Sequence, residues 1–103
     1  MVYAIYTTPS GHRSLQKLPQ TVKKQLLKVI SRLSHQPQLG EQLEGELKFL
    51  HSLHCKLGRV HYRVAYEVDE SHQEIVIHYA NTRENFYKKL KQLHLKPLTS
   101  AHS

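Results

Sequence analysis

The chain has little cysteine, few acidic residues and no long apolar run. Its single cysteine, Cys55, excludes an internal disulfide and fits a reducing cytosol. No segment approaches the roughly 20 apolar residues that span a bilayer, and Met1–Tyr6 is too short for a signal peptide. We therefore expect a soluble, cytoplasmic protein. Its 103 residues suffice for one small domain, which we expect to cover 1–96, with a frayed tail at 97–103.

The scarcity of acidic residues gives the chain a strong positive charge. Lysine and arginine number 15 against 8 aspartate and glutamate residues, for a formal net charge of +7. In so small a protein this excess favours a polyanion or an acidic protein as partner. A basic surface that is merely solvated remains the alternative.

The hydrophobic pattern predicts an α+β fold. The first strand is expected at Met1–Thr7, a short helix through Leu15 and Leu18, and a longer helix from Gln20. In that helix one apolar stripe is formed by Val22, Leu26, Val29, Ile30 and Leu33. From Leu47 the period changes to two, with Phe49, Leu53, Cys55 and Leu57 on one side. Strands then follow at 60–68 and 74–80, and a last helix starts near Asn81 and buries Phe86, Leu90 and Leu93.

These elements predict a helical hairpin packed on one face of an antiparallel sheet, with a short C-terminal helix. The other face of the sheet is expected to be free. Gly58–Arg59 can form a two-residue hairpin turn, which would pair Leu57 with Val60 and fix the register. Lys56 would then face His61, and His54 would face Arg63, on the free side. Because facing cations destabilise a strand pair, this arrangement indicates an anion-binding site.

The last helix extends the basic face. Asn81 is expected to cap it, with Glu84 completing a capping box. Arg83 falls in the first turn, where a cation opposes the helix dipole. Tyr87 lies four residues further on the same side of the helix.

Such a set of side chains suits RNA cleavage without a metal. The reaction needs a base for the 2′-hydroxyl, cations for the phosphate and an acid for the leaving oxygen. Nearby cations disfavour a protonated imidazole, so His54 is expected to act as the base. Phosphate contacts are expected from Lys56, Arg63 and Arg83. Tyr87 would stack on a base, orient the nucleotide or transfer a proton, unless it merely packs on its neighbours.

The remaining basic residues of this region are expected to bind RNA or to be solvated. The candidates are Arg59, His61 and Lys91, and His61 could equally be a bystander on an exposed strand. We expect no metal site, because His51 and His54 of an H-x-x-H pattern point to opposite faces of a strand. No cofactor is expected, and Cys55 should point into the core. A binding surface without catalysis is the open alternative.

The chain resembles the RelE/ParE superfamily of type II toxin–antitoxin systems. The resemblance covers about residues 2–93 and is carried by LEGEL (43–47), VHYRVAYEV (60–68) and NTRENFY (81–87). It implies a small fold with two helices on a mainly antiparallel sheet. For RelE-type members it implies cleavage of mRNA in the A site of the 70S ribosome, and an acidic antitoxin as partner.

The resemblance also implies site residues. Arg63 matches a strand arginine of the family, and Arg83 and Tyr87 match a later pair. Lys56 and His54 fall where further basic residues of the family are expected. A ParE-type toxin that poisons DNA gyrase is the main alternative, and a non-catalytic RNA-binding module is the second.

Overall fold

A five-stranded mixed sheet forms the centre of the protein in a computed structural model that describes residues 2–98. The strands are β1 Ala4–Thr7, β2 Glu41–Gln42, β3 His51–Leu57, β4 Val60–Asp69 and β5 Glu74–Thr82. They lie side by side in the order β1-β5-β4-β3-β2. β1 runs parallel to β5, and the other neighbours are antiparallel. The predicted α+β class is confirmed, with one parallel edge pair that the hairpin pattern did not indicate.

Three α-helices pack on this sheet. They are α1 Pro9–Gln16, α2 Gln20–Ser31 and α3 Arg83–Gln92, and short 3₁₀ turns occupy Arg32–Ser34 and Gly45–Leu47. Thr8 caps α1, because its Oγ1 accepts a hydrogen bond of 3.0 Å from the Gly11 N–H. Within residues 2–98, no helix combines the length and apolar character that a membrane span requires.

The first face of the sheet carries the main core. The predicted apolar stripe of α2 packs there against the inward residues of β4 and β5, with Leu26 and Leu33 fully buried. The predicted alternation of β4 is confirmed, since Tyr62, Val64 and Tyr66 belong to this cluster. The Tyr66 hydroxyl also donates to the Pro37 carbonyl at 2.9 Å and accepts from the Gly40 N–H at 2.7 Å. These bonds tie the loop after α2 to the core.

The predicted hairpin register is confirmed along its length. Leu57 pairs with Val60, Lys56 with His61, and His54 with Arg63. Gly58 has a φ of 63°, which is the conformation that a glycine-first hairpin turn requires. The sequence therefore fixes which side chains of β3 and β4 share a face.

The second face of the sheet was predicted to be free, but the structure shows that it is half covered. α3 returns across it, and Phe86 and Leu90 form a second core with Leu50 and Ala65. Phe49 belongs to this second core, so its predicted placement with Leu53 and Cys55 is wrong. The reason is that Phe49 precedes β3, where strand alternation does not yet apply.

Other details also differ from the sequence pattern. Asn81 lies in β5 and Thr82 occupies the N-cap position of α3, so the predicted Asn81 cap is wrong. Leu93 follows the helix and is exposed. The first strand was predicted to start at Met1 but starts at Ala4, three residues later. Met1 itself lies outside the described residues. The predicted frayed tail covers 97–103. The structure describes its first two residues, and the Leu98 N–H donates to Glu67 Oε1 at 3.2 Å. Residues 99–103 lie outside the described part.

α1 closes the edge of β5 beyond the end of β1. Ser10 Oγ donates to the His78 carbonyl at 3.0 Å, and Ser14 Oγ accepts from the Ala80 N–H at 2.9 Å. The helix backbone comes so near that a Cβ on Gly11 would lie 2.4 Å from the Ile77 carbonyl oxygen. Serine side chains thus satisfy backbone groups that a neighbouring strand would otherwise pair.

Candidate active site on the open half of the sheet

Three strands bring the basic side chains together on the uncovered half of the second face. Pairing of β3 with β4 places His54 beside Arg63 and Lys56 beside His61. Pairing of β4 with β5 places Asn81 beside Arg63 and ends at the rung Tyr62–Thr82. Arg83 directly follows Thr82, and His61 directly precedes Tyr62, so Arg83 and His61 lie next to each other. The cross-strand geometry, and not the sequence spacing, makes these residues neighbours.

Two histidines form the centre of the site. His54 Nε2 and His61 Nδ1 are 2.7 Å apart, and the rings lie within 8° of parallel with centroids 5.0 Å apart. One nitrogen must donate and the other accept, so the bond cannot survive if both rings are fully protonated. Partial burial, Arg83 and then His54 lower the pKa of His61, and Lys56 and Arg63 add to the effect. His61 is therefore neutral near pH 7, which makes it a candidate base beside the predicted His54.

Arg63 stands next to the histidine pair in a fixed orientation. Its Nη1 donates to Ser52 Oγ at 3.2 Å, and its guanidinium carbon lies 5.9 Å from the centre of the Tyr87 ring. That distance is at the limit of a cation–π contact. Its Nε is buried and has no hydrogen-bond partner within residues 2–98. The half-buried Arg63 side chain can therefore donate to a phosphate oxygen only through the accessible part of its guanidinium and not through Nε.

α3 supplies the remaining predicted residues. Arg83 is its first residue and is exposed. Tyr87 lies one turn further and is 41% exposed, so its ring both contacts Arg63 and remains accessible. A cleft of about 270 Å³ separates the start of α3 from the β3–β4 turn. Arg59, His61 and Arg83 line it together with Glu84, which places Arg59 at the end of the site.

Lys91 is not part of this group. It lies eight residues after Arg83, about 12 Å further along the helix axis. There it lines a separate cavity with Glu44 and Glu46. The structure therefore brings together His54, Lys56, Arg59, His61, Arg63, Arg83 and Tyr87, and leaves Lys91 apart.

Two residues of the site were not predicted. Ser52 is buried and holds Arg63, and its place on the same side as His54 was the signal available in the sequence. Asn81 lies across from Arg63 and donates to the Tyr79 hydroxyl at 2.6 Å. It was assigned to the helix cap because the end of β5 could not be located from the sequence.

The covered half of this face holds a buried polar pair. Glu67 Oε1 and His78 Nε2 are 2.8 Å apart, and both side chains are 2% exposed. Strand alternation placed Glu67 on the second face of the sheet, and this placement is correct. The face was predicted to be free, but at Glu67 the segment that follows α3 covers it, and Leu98 N–H donates to the Glu67 carboxylate. The open site is thus limited to the hairpin end of the sheet.

The other candidate ligands point elsewhere. His51 stacks on Tyr66 on the first face, with ring centroids 5.2 Å apart, while His54 lies on the second face. Cys55 is buried in the first core, as predicted. Among residues 2–98, no three histidine, cysteine or carboxylate side chains lie in a position to hold a metal ion together.

The sequence of the chain matches the model of a known family. The family model for the ParE-like toxin of type II bacterial toxin–antitoxin systems matches residues 5–91. The chain belongs to this family. The toxin family predicted from the LEGEL, YRV and NTRENFY segments is therefore confirmed. No curated protein matches the toxin in sequence.

Solved structures of RelE toxins share the fold. A chain of the RelBE2 toxin–antitoxin complex from Mycobacterium tuberculosis is 28% identical with a TM-score of 0.70, covering 81% of this toxin and 100% of that chain. A chain of the archaeal RelE–RelB complex from Pyrococcus horikoshii is 26% identical with a TM-score of 0.59, covering 81% and 97%. A mutant of the E. coli toxin RelE in the free state has 18% identity and a TM-score of 0.72, covering 92% and 100%. At that identity the E. coli structure shows likeness of fold alone.

Proposed function

We propose that this toxin is a metal-independent endoribonuclease that cleaves mRNA in the ribosomal A site and so stops translation. The observation that carries the proposal is the hydrogen-bonded pair His54–His61, 2.7 Å apart, on a sheet face that also carries Lys56, Arg63 and Arg83. This set of side chains contains a group for each task of RNA cleavage.

The histidine pair can move both protons of the reaction. The ribose 2′-oxygen attacks the adjacent phosphorus as a neutral imidazole, His61 or His54, takes the 2′-hydroxyl proton. The bond from phosphorus to the 5′-oxygen breaks, and a protonated group of the pair supplies the proton that this oxygen needs. The pair gains one proton and loses one, so its number of protons is unchanged. Where the two rings have exchanged roles, transfer of the proton across their 2.7 Å hydrogen bond restores the starting state. The products are a 2′,3′-cyclic phosphate and a 5′-hydroxyl end.

The arginines stabilise the negative charge that builds on the phosphate. Ser52 and the Tyr87 ring orient the Arg63 guanidinium, so little reorganisation is needed when the phosphate arrives. Arg83 approaches from the start of α3, where the helix dipole adds partial positive charge. The accessible part of the Tyr87 ring can stack on a base beside the cleaved bond.

Two kinds of partner follow from the proposal. An acidic antitoxin fits the net charge of +7, and the relatives from Mycobacterium tuberculosis and Pyrococcus horikoshii were solved as complexes with their antitoxins. Messenger RNA bound to the 70S ribosome is the proposed substrate. The phosphate backbone of RNA is a polyanion, and a basic surface on a protein of net charge +7 suits it.

The test is cleavage of a defined messenger on purified bacterial ribosomes that are stalled at a known codon. Primer extension should place the cut within the A-site codon, and end-group analysis should find 5′-hydroxyl and 2′,3′-cyclic phosphate. Arg83→Ala and Tyr87→Ala, the second of which removes the whole ring, should each reduce the cleavage rate sharply with unchanged circular dichroism. Lys88→Gln, a neighbouring exposed lysine outside the site, is the matched control. Normal cleavage by both site variants would contradict the assignment.

The rival functions give different results in the same material. A ParE-type activity, favoured by the description of the matching family model, would leave the messenger intact and stabilise cleaved gyrase–DNA complexes. A non-catalytic RNA-binding module would associate with ribosomes without changing the primer-extension pattern. Either result would reject RNA cleavage as the function.

A further inference from the structure

A second basic surface lies outside the proposed active site. A groove of about 290 Å³ runs between α1, α3 and the end of β5. Arg13 and Lys17 line it from the α1 side, Lys89 lines it from α3, and Leu18, Tyr79 and Leu93 form its apolar part. Among the residues that the structure describes, no carboxylate lines this groove. We name it the α1–α3 groove.

The three cations of the α1–α3 groove are exposed and lack an acidic counterpart. The ion pairs found within residues 2–98 are His72–Asp69 and His78–Glu67, so none involves these three side chains. Arg13 and Lys17 are four residues apart and therefore lie on the same side of α1, where like charges repel. Repulsion of this kind is relieved when an anion binds between the charges.

The helix dipole accounts for only part of this arrangement. Arg13 and Lys89 lie in the last turns of their helices, where a cation is favourable by about 0.3–1 kcal/mol. The same effect explains Lys28 in the last turn of α2, which lines no such groove. What the dipole does not explain is the convergence of cations from two helices on one cavity without a carboxylate.

We propose that the α1–α3 groove binds the phosphate backbone of ribosomal RNA. The inference rests on the proposed function, because it takes the ribosome as partner. The groove lies at the end of β5 beside α1, whereas the His54–His61 pair lies on β3 and β4. A messenger on the sheet face therefore does not fill the groove. Asn81 lines the groove and also pairs with Arg63, so the two surfaces are contiguous. RNA held in the groove would fix the sheet face relative to the messenger.

An added peptide strand does not fit this edge. The backbone groups of β5 at His78 and Ala80 are already bonded to Ser10 and Ser14 of α1. A strand of an antitoxin therefore finds no free ladder to extend there. Phosphates need only the cationic side chains, which are exposed.

The test compares two triple variants of the full chain with equal loss of charge. The groove variant carries Arg13→Gln, Lys17→Gln and Lys89→Gln. The control carries Lys24→Gln and Lys28→Gln on α2 and Arg32→Gln directly after it. These residues are also exposed and also include a last-turn lysine. Affinity for messenger-free 70S ribosomes is measured over a range of KCl, and affinity for a short single-stranded RNA is measured in parallel. Melting curves check that both variants fold.

The groove variant should bind ribosomes more weakly, and the slope of log affinity against log salt should fall by about 2–3, from three lost phosphate contacts. The control variant should keep the wild-type slope, and both should bind the short RNA like the wild type. Equal losses in the two variants, or an equal loss on the short RNA, would overturn the proposal. So would unchanged ribosome binding with weaker binding of an acidic antitoxin.

The outcomes also separate this inference from the proposed function. Wild-type protein that cuts messenger, with a groove variant of unchanged ribosome affinity, would overturn the groove alone. Ribosome binding that depends on the groove, without any cleavage, would overturn the proposed activity alone. Wild-type protein that does not bind ribosomes would overturn both.

Discussion

Arg83→Gln is expected to stabilise the fold while it weakens RNA cleavage. Arg83 is the first residue of α3, it is exposed, and the N-cap residue Thr82 makes no side-chain capping bond. A cation at this position opposes the positive end of the helix dipole. Its removal should therefore raise the free energy of unfolding by about 0.3–1 kcal/mol.

The expected effect on cleavage is much larger and of opposite sign. If Arg83 contacts the phosphate, the variant loses one preorganised cation at the point where charge develops. Loss of one such group lowers the rate of a chemical step by about 10²–10³, or roughly 3–4 kcal/mol. The rate is measured in a single turnover on stalled ribosomes at saturating toxin, and stability is measured by urea unfolding of the free protein.

Lys88→Gln is the control within the same helix. It removes one positive charge from the middle of α3, where the dipole has little effect, so both stability and cleavage should stay near wild type. A lower unfolding free energy for Arg83→Gln would mean that Arg83 makes a stabilising contact that outweighs its repulsion by the helix dipole. Wild-type cleavage by Arg83→Gln would place the phosphate elsewhere and refute the assigned site.

Two further predictions concern the histidine pair and the core. In an NMR titration the pKa of His61 should lie below 6.5 in the wild type and rise in Arg83→Gln, because Arg83 is the charged neighbour that lowers it most. The same His61 pKa in both proteins would show that Arg83 is remote from His61. Tyr66→Phe should cost about 1–3 kcal/mol of unfolding free energy, since it leaves the Gly40 N–H without its bond. Tyr62→Phe is the control, as its hydroxyl has no side-chain bond within residues 2–98, and equal losses would argue against the loop bond.

Much of the fold could be predicted because local chemistry and the global structure agree. The stripe of α2 and the alternation of β4 each bury one face against the same core. Gly58 fixed the register of β3 and β4, and with it the pairing of His54 with Arg63. These predictions needed only spacing within one element or one tight turn.

The second face could not be predicted in the same way. How much of this face is covered depends on where α3 packs. The position of α3 is set by long-range contacts of Phe86 and Leu90 with Leu50 and Ala65. The sequence shows that α3 is amphipathic, but not which face of the sheet receives it. For the same reason the sequence did not reveal that Glu67 is buried while Arg63 is only half-buried, although both lie on one face of β4.

One extra residue in β5 decides which side chains reach the site. Ala65 pairs with Tyr79 and Tyr66 pairs with Ile77, so His78 is a bulge between them. If His78 paired with Ala65 instead of bulging, the register would shift by one, and Ala80 instead of Asn81 would lie beside Arg63. Arg83 would then lie one position past His61 instead of next to it. Because a bulge breaks the period of two without a marker in the sequence, the neighbours of Arg63 on β5 were the part of the site that required the structure.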